Sequence, residues 1–221
     1  MKLFSYLSVA VLLGSGAVLT AYSPDLLSMV VVGFMCMIAL AGSLYGLLPT
    51  ISFTGGLLNG QNSIRKASGT EGTSTWVAAL QIERFFHQKT LDKLFAEYRE
   101  KVQHQRETGQ IVSDIDEAIN EDVLALYTWR GVIAQIPGTL TGLGILGTFV
   151  GLLLGLRSIS FITVEAALGS VQSILAGIDT AFYTSIAGVI LSILFNIINN
   201  VLRNIMNRET GLFLENFHKT V

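Results

Sequence analysis

Long apolar runs alternate with polar segments along this chain of 221 residues. Four runs are each apolar over about the length, roughly 20 residues, that an α-helix needs to cross the hydrocarbon core of a bilayer: residues 4–22, 26–48, 137–156 and 175–201. The first two runs are separated only by a short turn around Pro24, and Pro49 marks the end of the second. The pattern therefore predicts an all-α polytopic membrane protein with four transmembrane helices, of which the first two form a hairpin.

The first apolar run has a second interpretation, a secretory signal peptide with a weak cleavage site at residues 19–21. The run is long for the apolar part of a signal peptide, and another apolar run begins almost at once. We therefore favour a retained helix. Cleavage would leave three spans with the same orientation from residue 26 onward.

The polar segment between the second and third runs predicts three parts. Residues 52–74 are rich in Gly, Ser, Thr and Asn, which is typical of a connector or an irregular segment at the membrane surface. Residues 76–105 place apolar and charged side chains on opposite sides at helical spacing, which indicates an amphipathic helix. A helix-start pattern at Ser113 predicts another helix, running to Trp129 just before the third span. Residues 201–221 are amphipathic and are expected to continue the fourth helix.

Basic residues orient the chain by the positive-inside rule. Most lysines and arginines lie between the second and third runs or near the termini, and only Arg157 lies in the loop after the third run. We therefore expect both termini in the cytoplasm. The predicted organisation is a membrane hairpin, a cytoplasmic helical region, a core of two spans and a cytoplasmic helical extension that starts a possible tail: residues 1–51, 52–135, 136–200 and 201–221.

Composition agrees with a membrane protein and argues against other classes. The chain is 51% hydrophobic and 14% charged, with a mean hydropathy of +0.57. Its net charge of −2 offers no basic surface for direct binding of nucleic acid. Cys36 is alone in an apolar run and the three histidines are far apart, so we predict no metal and no cofactor. No nucleophile–base pair or phosphate-binding loop is present, and we expect no enzyme.

Small residues recur at three- and four-residue spacing on one face of the third run and again on the fourth. We predict that these residues form a helix-packing face: Gly144, Gly147, Gly151, Gly155, Gly177, Ala181 and Gly188. A glycine inside a soluble helix costs about 1 kcal/mol. In a membrane, a smooth face of this kind lets another helix come close.

Polar side chains inside these two spans provide the candidate chemistry. Thr148 and Ser185 both fall near mid-membrane, and Thr184 lies next to Ser185. Such hydroxyls commonly bond to their own backbone or to a neighbouring helix, so ordinary packing is one interpretation. Asp179 is an acid within a membrane segment and therefore a candidate for an ion path. It lies only a turn or two from the outer end, where water could solvate it.

Two sequence elements on consecutive spans resemble the paired signature of the MotA/TolQ/ExbB proton-channel family. They are LGTFVG at residues 146–151 and AFYTSIAG at residues 181–188. The likeness is strong over about residues 130–200, and the layout of the remainder is compatible with MotA-like members. Within the family, residues 136–149 are most similar to motor subunits of an anti-phage defence system.

The resemblance implies an ion-driven motor subunit in the bacterial inner membrane. Such proteins form a homopentameric ring around two copies of a single-span partner, which carries an aspartate in its membrane helix and binds peptidoglycan outside. The family's polar pore positions carry over to Thr148 and Ser185, with Thr184 as the adjacent alternative. TolQ and ExbB have a glutamate where this chain has Thr180, one residue after Asp179, and both positions join the candidate ion path.

The same resemblance implies H⁺ as the transported ion, with Na⁺ as the alternative, and membrane lipids around the ring. A smooth glycine face would let the partner's helix approach. Three other functions stay open: an energiser of the flagellar-stator or TolQ/ExbB type, a transporter with its own substrate site, and a passive four-span scaffold whose small residues serve packing alone.

Overall fold

The computed structural model of the protein describes residues 2–67, 82, 84–157, 159 and 163–220, and all regular structure within these residues is helical. The longer helices are α1 (Lys2–Ala21), α2 (Leu26–Gly42), α3 (Leu48–Ala67), α4 (Lys89–Glu107), α7 (Ile136–Arg157) and α8 (Val164–Thr220). The shorter helices are α5 (Glu121–Tyr127) and α6 (Arg130–Ile133). The all-α prediction is confirmed.

Three helical segments in the described part of the chain are long and apolar enough to cross a membrane: Leu26–Lys66, Arg130–Arg157 and Ala167–Lys219. The first apolar run of the sequence contributes a shorter apolar stretch, Val9–Ala21, within α1. These helices are compatible with a membrane protein. A fourth span, formed by α1, stays a prediction.

The chain folds into two compact units. The first unit contains Leu3–Leu44 and Gly131–Asn199, and the second contains Tyr45–Arg130 and Asn200–Val221. Within the first unit α2 packs along α7. Gly42 allows a close approach there, since a Cβ atom on Gly42 would lie 2.3 Å from Cδ1 of Ile136.

The sequence predicts that the second apolar helix ends at Pro49, but in the structure the chain stays helical past this proline. A π-helical turn, Ser43–Leu47, joins α2 to α3. Proline has no N–H to bond the carbonyl group four residues back, which belongs to Tyr45 within this turn. The helix therefore continues past the proline to Ala67. The predicted connector is wrong for residues 52–67, and residues 68–74 lie outside the described part.

Aromatic rings form the core of the second unit. The rings of Phe85 and Phe95 stack with centroids 4.5 Å apart, and those of Phe86 and Phe213 lie 5.0 Å apart. Gly60 of α3 leaves the space that these rings fill, because a Cβ atom on Gly60 would lie 2.5 Å from Cε1 of Phe86. The core thus joins α3, the segment before α4, and the C-terminal part of α8.

The amphipathic helix predicted over residues 76–105 is α4 in the structure, and it begins only at Lys89. Its N-cap is Gln88, whose side chain accepts a hydrogen bond from the Leu91 backbone N–H at 2.6 Å. Residues 84–88 form turns and bends ahead of this cap. Residues 76–81 and 83 lie outside the described part.

The helix predicted from Ser113 to Trp129 is interrupted. Asp114 caps a short 3₁₀ turn, Ile115–Glu117, and Asn120 caps α5 by accepting the Val123 N–H at 2.8 Å. These side chains satisfy backbone donors locally, which favours two short elements over one long helix. At Trp129, a positive φ of 51° separates α5 from α6.

The loop after the third apolar run, which the sequence predicts over residues 157–172, is shorter in the structure. The helix α7 ends at Arg157, and α8 already begins at Val164. It then runs as a single helix of 57 residues, so the expected continuation of the fourth run beyond residue 201 is confirmed.

Candidate functional site

Helices α7 and α8 approach each other closely along their small residues. Four glycines are buried along α7: Gly144, Gly147, Gly151 and Gly155. A Cβ atom on Gly151 would lie 2.9 Å from the carbonyl oxygen of Gly177, and one on Gly188 would lie 2.8 Å from that of Leu140. Because these neighbours are backbone atoms, a side chain at either position would force the two helices apart.

The glycine face of α7 is therefore covered by α8 of the same chain. The resemblance implied that this face lets the helix of a partner subunit approach, and the approach of a partner helix stays a prediction. The fit is steric: the glycines of α7, and Gly177 and Gly188 on α8, have no Cβ atoms, so the two backbones come into direct contact at these positions. The surface of α7 that stays exposed instead carries Leu146, Phe149 and Leu153.

Two threonine hydroxyl groups from different helices converge on one backbone carbonyl group. The Thr148 hydroxyl donates to the carbonyl oxygen of Ala181 at 3.2 Å, and the Thr184 hydroxyl lies 3.1 Å from the same oxygen. Each hydroxyl also contacts a carbonyl oxygen four residues back on its own helix, that of Gly144 at 3.1 Å and that of Thr180 at 3.0 Å. Thr148 thus bonds across the seam between α7 and α8.

Gly147 provides the space for the Thr184 hydroxyl. A Cβ atom on Gly147 would lie only 2.5 Å from Oγ1 of Thr184, which is fully buried. Ser185 is half-buried and lies beside Gly144, since a Cβ atom on that glycine would lie 3.3 Å from the Cα of Ser185. The structure therefore brings Thr148 and Thr184 together, with Ser185 next along the same seam.

Thr180 meets a carboxylate that sequence reasoning missed. Asp25, in the turn between α1 and α2, accepts a hydrogen bond from the Thr180 hydroxyl at 3.0 Å through Oδ2. Its other oxygen, Oδ1, accepts the Ser28 backbone N–H at 3.1 Å and so caps α2. The sequence signal at Asp25 is a turn and a helix cap, and it contains nothing that would link Asp25 to α8.

A cavity of about 330 Å³ opens beside this contact. Asp25, Thr180, Ser173 and Asp179 supply its polar side chains, and Gly151 and Gly155 form part of its wall. Asp179 itself is exposed, whereas Thr180 is buried. Of the residues proposed for the ion path, Thr180 and Asp179 thus share this cavity, while Thr148 and Thr184 meet further along the seam.

One described group has the residue types of a metal site. Ligand atoms of Asp114, Asp116 and His218 in the second unit all lie within 4.8 Å of one another, and the three side chains are exposed. At its centre, Nε2 of His218 lies 2.7 Å from Oδ1 of Asp114. This hydrogen-bonded ion pair accounts for the arrangement without a bound ion.

The described part of the chain is thus an all-helical protein whose apolar helices of membrane-spanning length and glycine-packed helix pair are compatible with the class of polytopic membrane proteins. The chain belongs to the ZorA family, since the family model of the anti-phage protein ZorA of the Zorya type I system matches residues 11–220. The resemblance of residues 136–149 to a subunit of an anti-phage defence system is thereby confirmed at the level of the family.

A curated relative supports the same family. Over 59 residues the chain is 42% identical to the Zorya protein ZorA of Escherichia coli strain Crooks. The matched segment makes up 27% of this chain and 10% of that relative, so it represents a small part of the longer protein.

Proposed function

We propose that this chain is the membrane subunit of an ion-driven motor that serves Zorya anti-phage defence. The observation that carries the proposal is the convergence of the Thr148 and Thr184 hydroxyls on the Ala181 carbonyl oxygen, inside the seam of α7 and α8. A hydroxyl offers one donor and two acceptor lone pairs, so it can stabilise either a passing cation or a carboxyl group. Polar groups inside membrane helices are costly and are functional candidates by default.

In the proposed assembly, five copies of the chain form a ring around two copies of a single-span partner with an aspartate in its membrane helix and a peptidoglycan-binding domain outside. Binding of H⁺, or of Na⁺, neutralises that aspartate and lowers the cost of moving it along an apolar surface. The polar positions of the path are Thr148, Thr184, Ser185, Thr180 and Asp179. Alternate loading and release of the aspartate then drive rotation and transmit force to the cytoplasm.

The proposed location is the bacterial inner membrane, with α1 as the first of four spans and both termini in the cytoplasm. The distribution of lysine and arginine supports this orientation, because it favours the side that holds residues 52–135 and 201–221. The apolar surfaces of the membrane helices would contact lipid.

A passive scaffold is the competing function, and one observation favours it. The hydrogen bonds of Thr148 and Thr184 all end on backbone carbonyl oxygens, as they do in ordinary helix packing. The two functions differ in what the hydroxyls do beyond packing. A motor needs them for ion flux, and a scaffold does not.

The test is ion flux in proteoliposomes that contain the full chain and the single-span partner, followed with a pH-sensitive dye inside the vesicles. We expect Thr148→Ala combined with Thr184→Ala to abolish most of the flux and to remove protection in a phage plaque assay. Thr139→Ala is the matched control, because Thr139 lies on the same helix, is exposed and bonds only its own turn, to the Gln135 carbonyl oxygen. Normal flux in a fully assembled double variant would favour the scaffold.

A further inference from the structure

The turn between α1 and α2 places the carboxylate of Asp25 against α8, a helix that is distant in the sequence. Asp25 and Thr180 lie 155 positions apart in the chain, yet Oδ2 of Asp25 and Oγ1 of Thr180 are 3.0 Å apart. Asp25 is half-buried and Thr180 is only 6% exposed, so the contact closes one side of the cavity described above. A helix cap alone needs only one oxygen of Asp25, and Oδ1 already fills that role.

The Thr180 hydroxyl has one hydrogen but two acceptors within reach. Besides Oδ2 of Asp25, it lies 3.1 Å from the carbonyl oxygen of Ala176. When Asp25 is ionised, that single hydrogen is shared between the two acceptors. When Asp25 carries a proton, its O–H donates to Oγ1 of Thr180, and the Thr180 O–H donates to Ala176. The same heavy-atom positions therefore suit both charge states of Asp25.

Thr180 also contacts the threonine pair, through its backbone carbonyl group rather than through its hydroxyl. The backbone carbonyl oxygen of Thr180 accepts the Thr184 hydroxyl at 3.0 Å, and Thr184 shares the Ala181 carbonyl oxygen with Thr148. Thr180 thus belongs both to the cavity that Asp25 lines and to the seam that holds the two hydroxyls. The cavity is the open end of this polar series, and its described lining contains two titratable side chains, Asp25 and Asp179.

We propose that Asp25 is the residue that receives the cation at the outer end of the path and passes it toward the Thr148–Thr184 pair. The inference rests on the proposed motor function and adds to it a residue outside the two signature spans. For H⁺, a proton from external water binds Oδ2 of Asp25, where the bond to Thr180 holds it, and it then moves to the carboxylate of the partner's membrane aspartate, so Asp25 ends ionised as it began. For Na⁺, Oδ2 and Oγ1 of Thr180 are ligands of the preferred oxygen type.

The test separates the charge of Asp25 from its capping role. Asparagine and serine are both good N-caps, so Asp25→Asn and Asp25→Ser keep the α2 cap while removing the ionisable group. Flux is measured in proteoliposomes with the single-span partner while the external concentration of H⁺ or Na⁺ is varied. Both variants are expected to raise the concentration for half-maximal flux by about tenfold, equivalent to about 1.4 kcal/mol. Asp25→Glu is expected to restore part of the difference.

Three outcomes would overturn the inference in distinguishable ways. Flux in the wild type with unchanged half-saturation in Asp25→Asn and Asp25→Ser would mean that Asp25 only caps α2, and the motor function would stand. Absence of flux in the wild type with its partner would remove the proposed function and this residue's role together. A fall in maximal rate without a shift in half-saturation would also contradict it, because an entry residue sets the concentration dependence.

Discussion

The hydroxyl group of Tyr183 on α8 donates a hydrogen bond to the backbone carbonyl oxygen of Leu19 near the end of α1. The last carbonyl groups of a helix have no N–H partner within that helix, so Tyr183, together with the Ser23 hydroxyl group at 3.2 Å, satisfies an acceptor that the helix leaves open. Together with the bond from Thr180 to Asp25, this contact attaches the α1–α2 hairpin to α8 within the first unit.

Tyr183→Phe removes only this donor and keeps the ring. We expect a loss of about 0.5–1.5 kcal/mol in the free energy of unfolding, which is typical of one neutral hydrogen bond. Thermal unfolding of the purified protein in detergent measures the change. Tyr22→Phe is the control, because the side chain of Tyr22 is exposed; equal effects of the two substitutions would show that the bond to Leu19 contributes nothing.

Gly177→Ala should separate α7 from α8. Its new Cβ atom would lie 2.7 Å from both the Gly151 carbonyl oxygen and the Gly155 Cα, which are backbone atoms that cannot rotate away. Overpacking of this kind costs about 1–3 kcal/mol. Gly142→Ala on α7 is the matched control, since a Cβ atom there meets nothing within 4 Å. The melting temperatures of the two variants in detergent give the comparison, and a Gly177→Ala protein as stable as the control would contradict the close contact.

Among the substitutions proposed here, Phe95→Ala should cause the largest loss in the free energy of unfolding, and this loss should fall in the second unit. The Phe95 ring stacks on Phe85, and both side chains are buried in the aromatic core. Removing such a ring leaves a cavity and costs about 3–5 kcal/mol. Limited proteolysis, with cleavage mapped by mass spectrometry, would report the loss locally within residues 84–130. Leu126→Ala serves as the control because Leu126 is exposed on α5; similar cleavage of both variants would argue against this core.

The His218–Asp114 pair should make the stability of the second unit depend on pH. The hydrogen bond to Asp114 raises the pKa of the His218 imidazole, and the same bond lowers the pKa of the Asp114 carboxyl group. The histidine contribution is complete below its unfolded pKa, about 6.5, and is lost as pH rises through the higher folded value. The aspartate contribution is complete above about pH 3.9 and is lost as pH falls through the lower folded value.

The pair should therefore stabilise the unit most between about pH 4 and pH 6.5. Since both side chains are exposed, we expect only about 0.2–1 kcal/mol at low salt. Protection of α8 amides near His218, measured by hydrogen exchange at several pH values, tests the expectation. His218→Gln should remove the step on the alkaline side, and an unchanged profile in that variant would assign the pH dependence to other groups.

Periodic patterns in the sequence predicted the parts of the fold that depend on local spacing. The glycines of α7 and the threonines Thr148 and Thr184 could be singled out because residues three and four apart share a helix face. The helix that packs against the glycine face of α7 could not be predicted in the same way. A smooth face suits any approaching helix, and only the tertiary structure reveals that α8 of the same chain covers it.

Two features of the structure were not predicted from the sequence, and each has an identifiable physical cause. Proline normally ends a helix, but at Pro49 a π-helical turn absorbs the missing N–H and the helix continues. The sequence around Asp25 indicates only a turn, because the bond to Thr180 joins positions 155 residues apart and leaves no local pattern. Long-range contacts of this kind are outside the reach of spacing arguments.

The backbone-to-backbone seam between α7 and α8 also has a mechanical consequence. Contacts made by long side chains can yield by small steps, as each side chain changes rotamer. Where Gly151 meets Gly177 there are no rotamers to change, and neither helix loses side-chain entropy by docking. The two helices are thus coupled stiffly at this point, and a displacement of one helix moves the other with little relative motion between them.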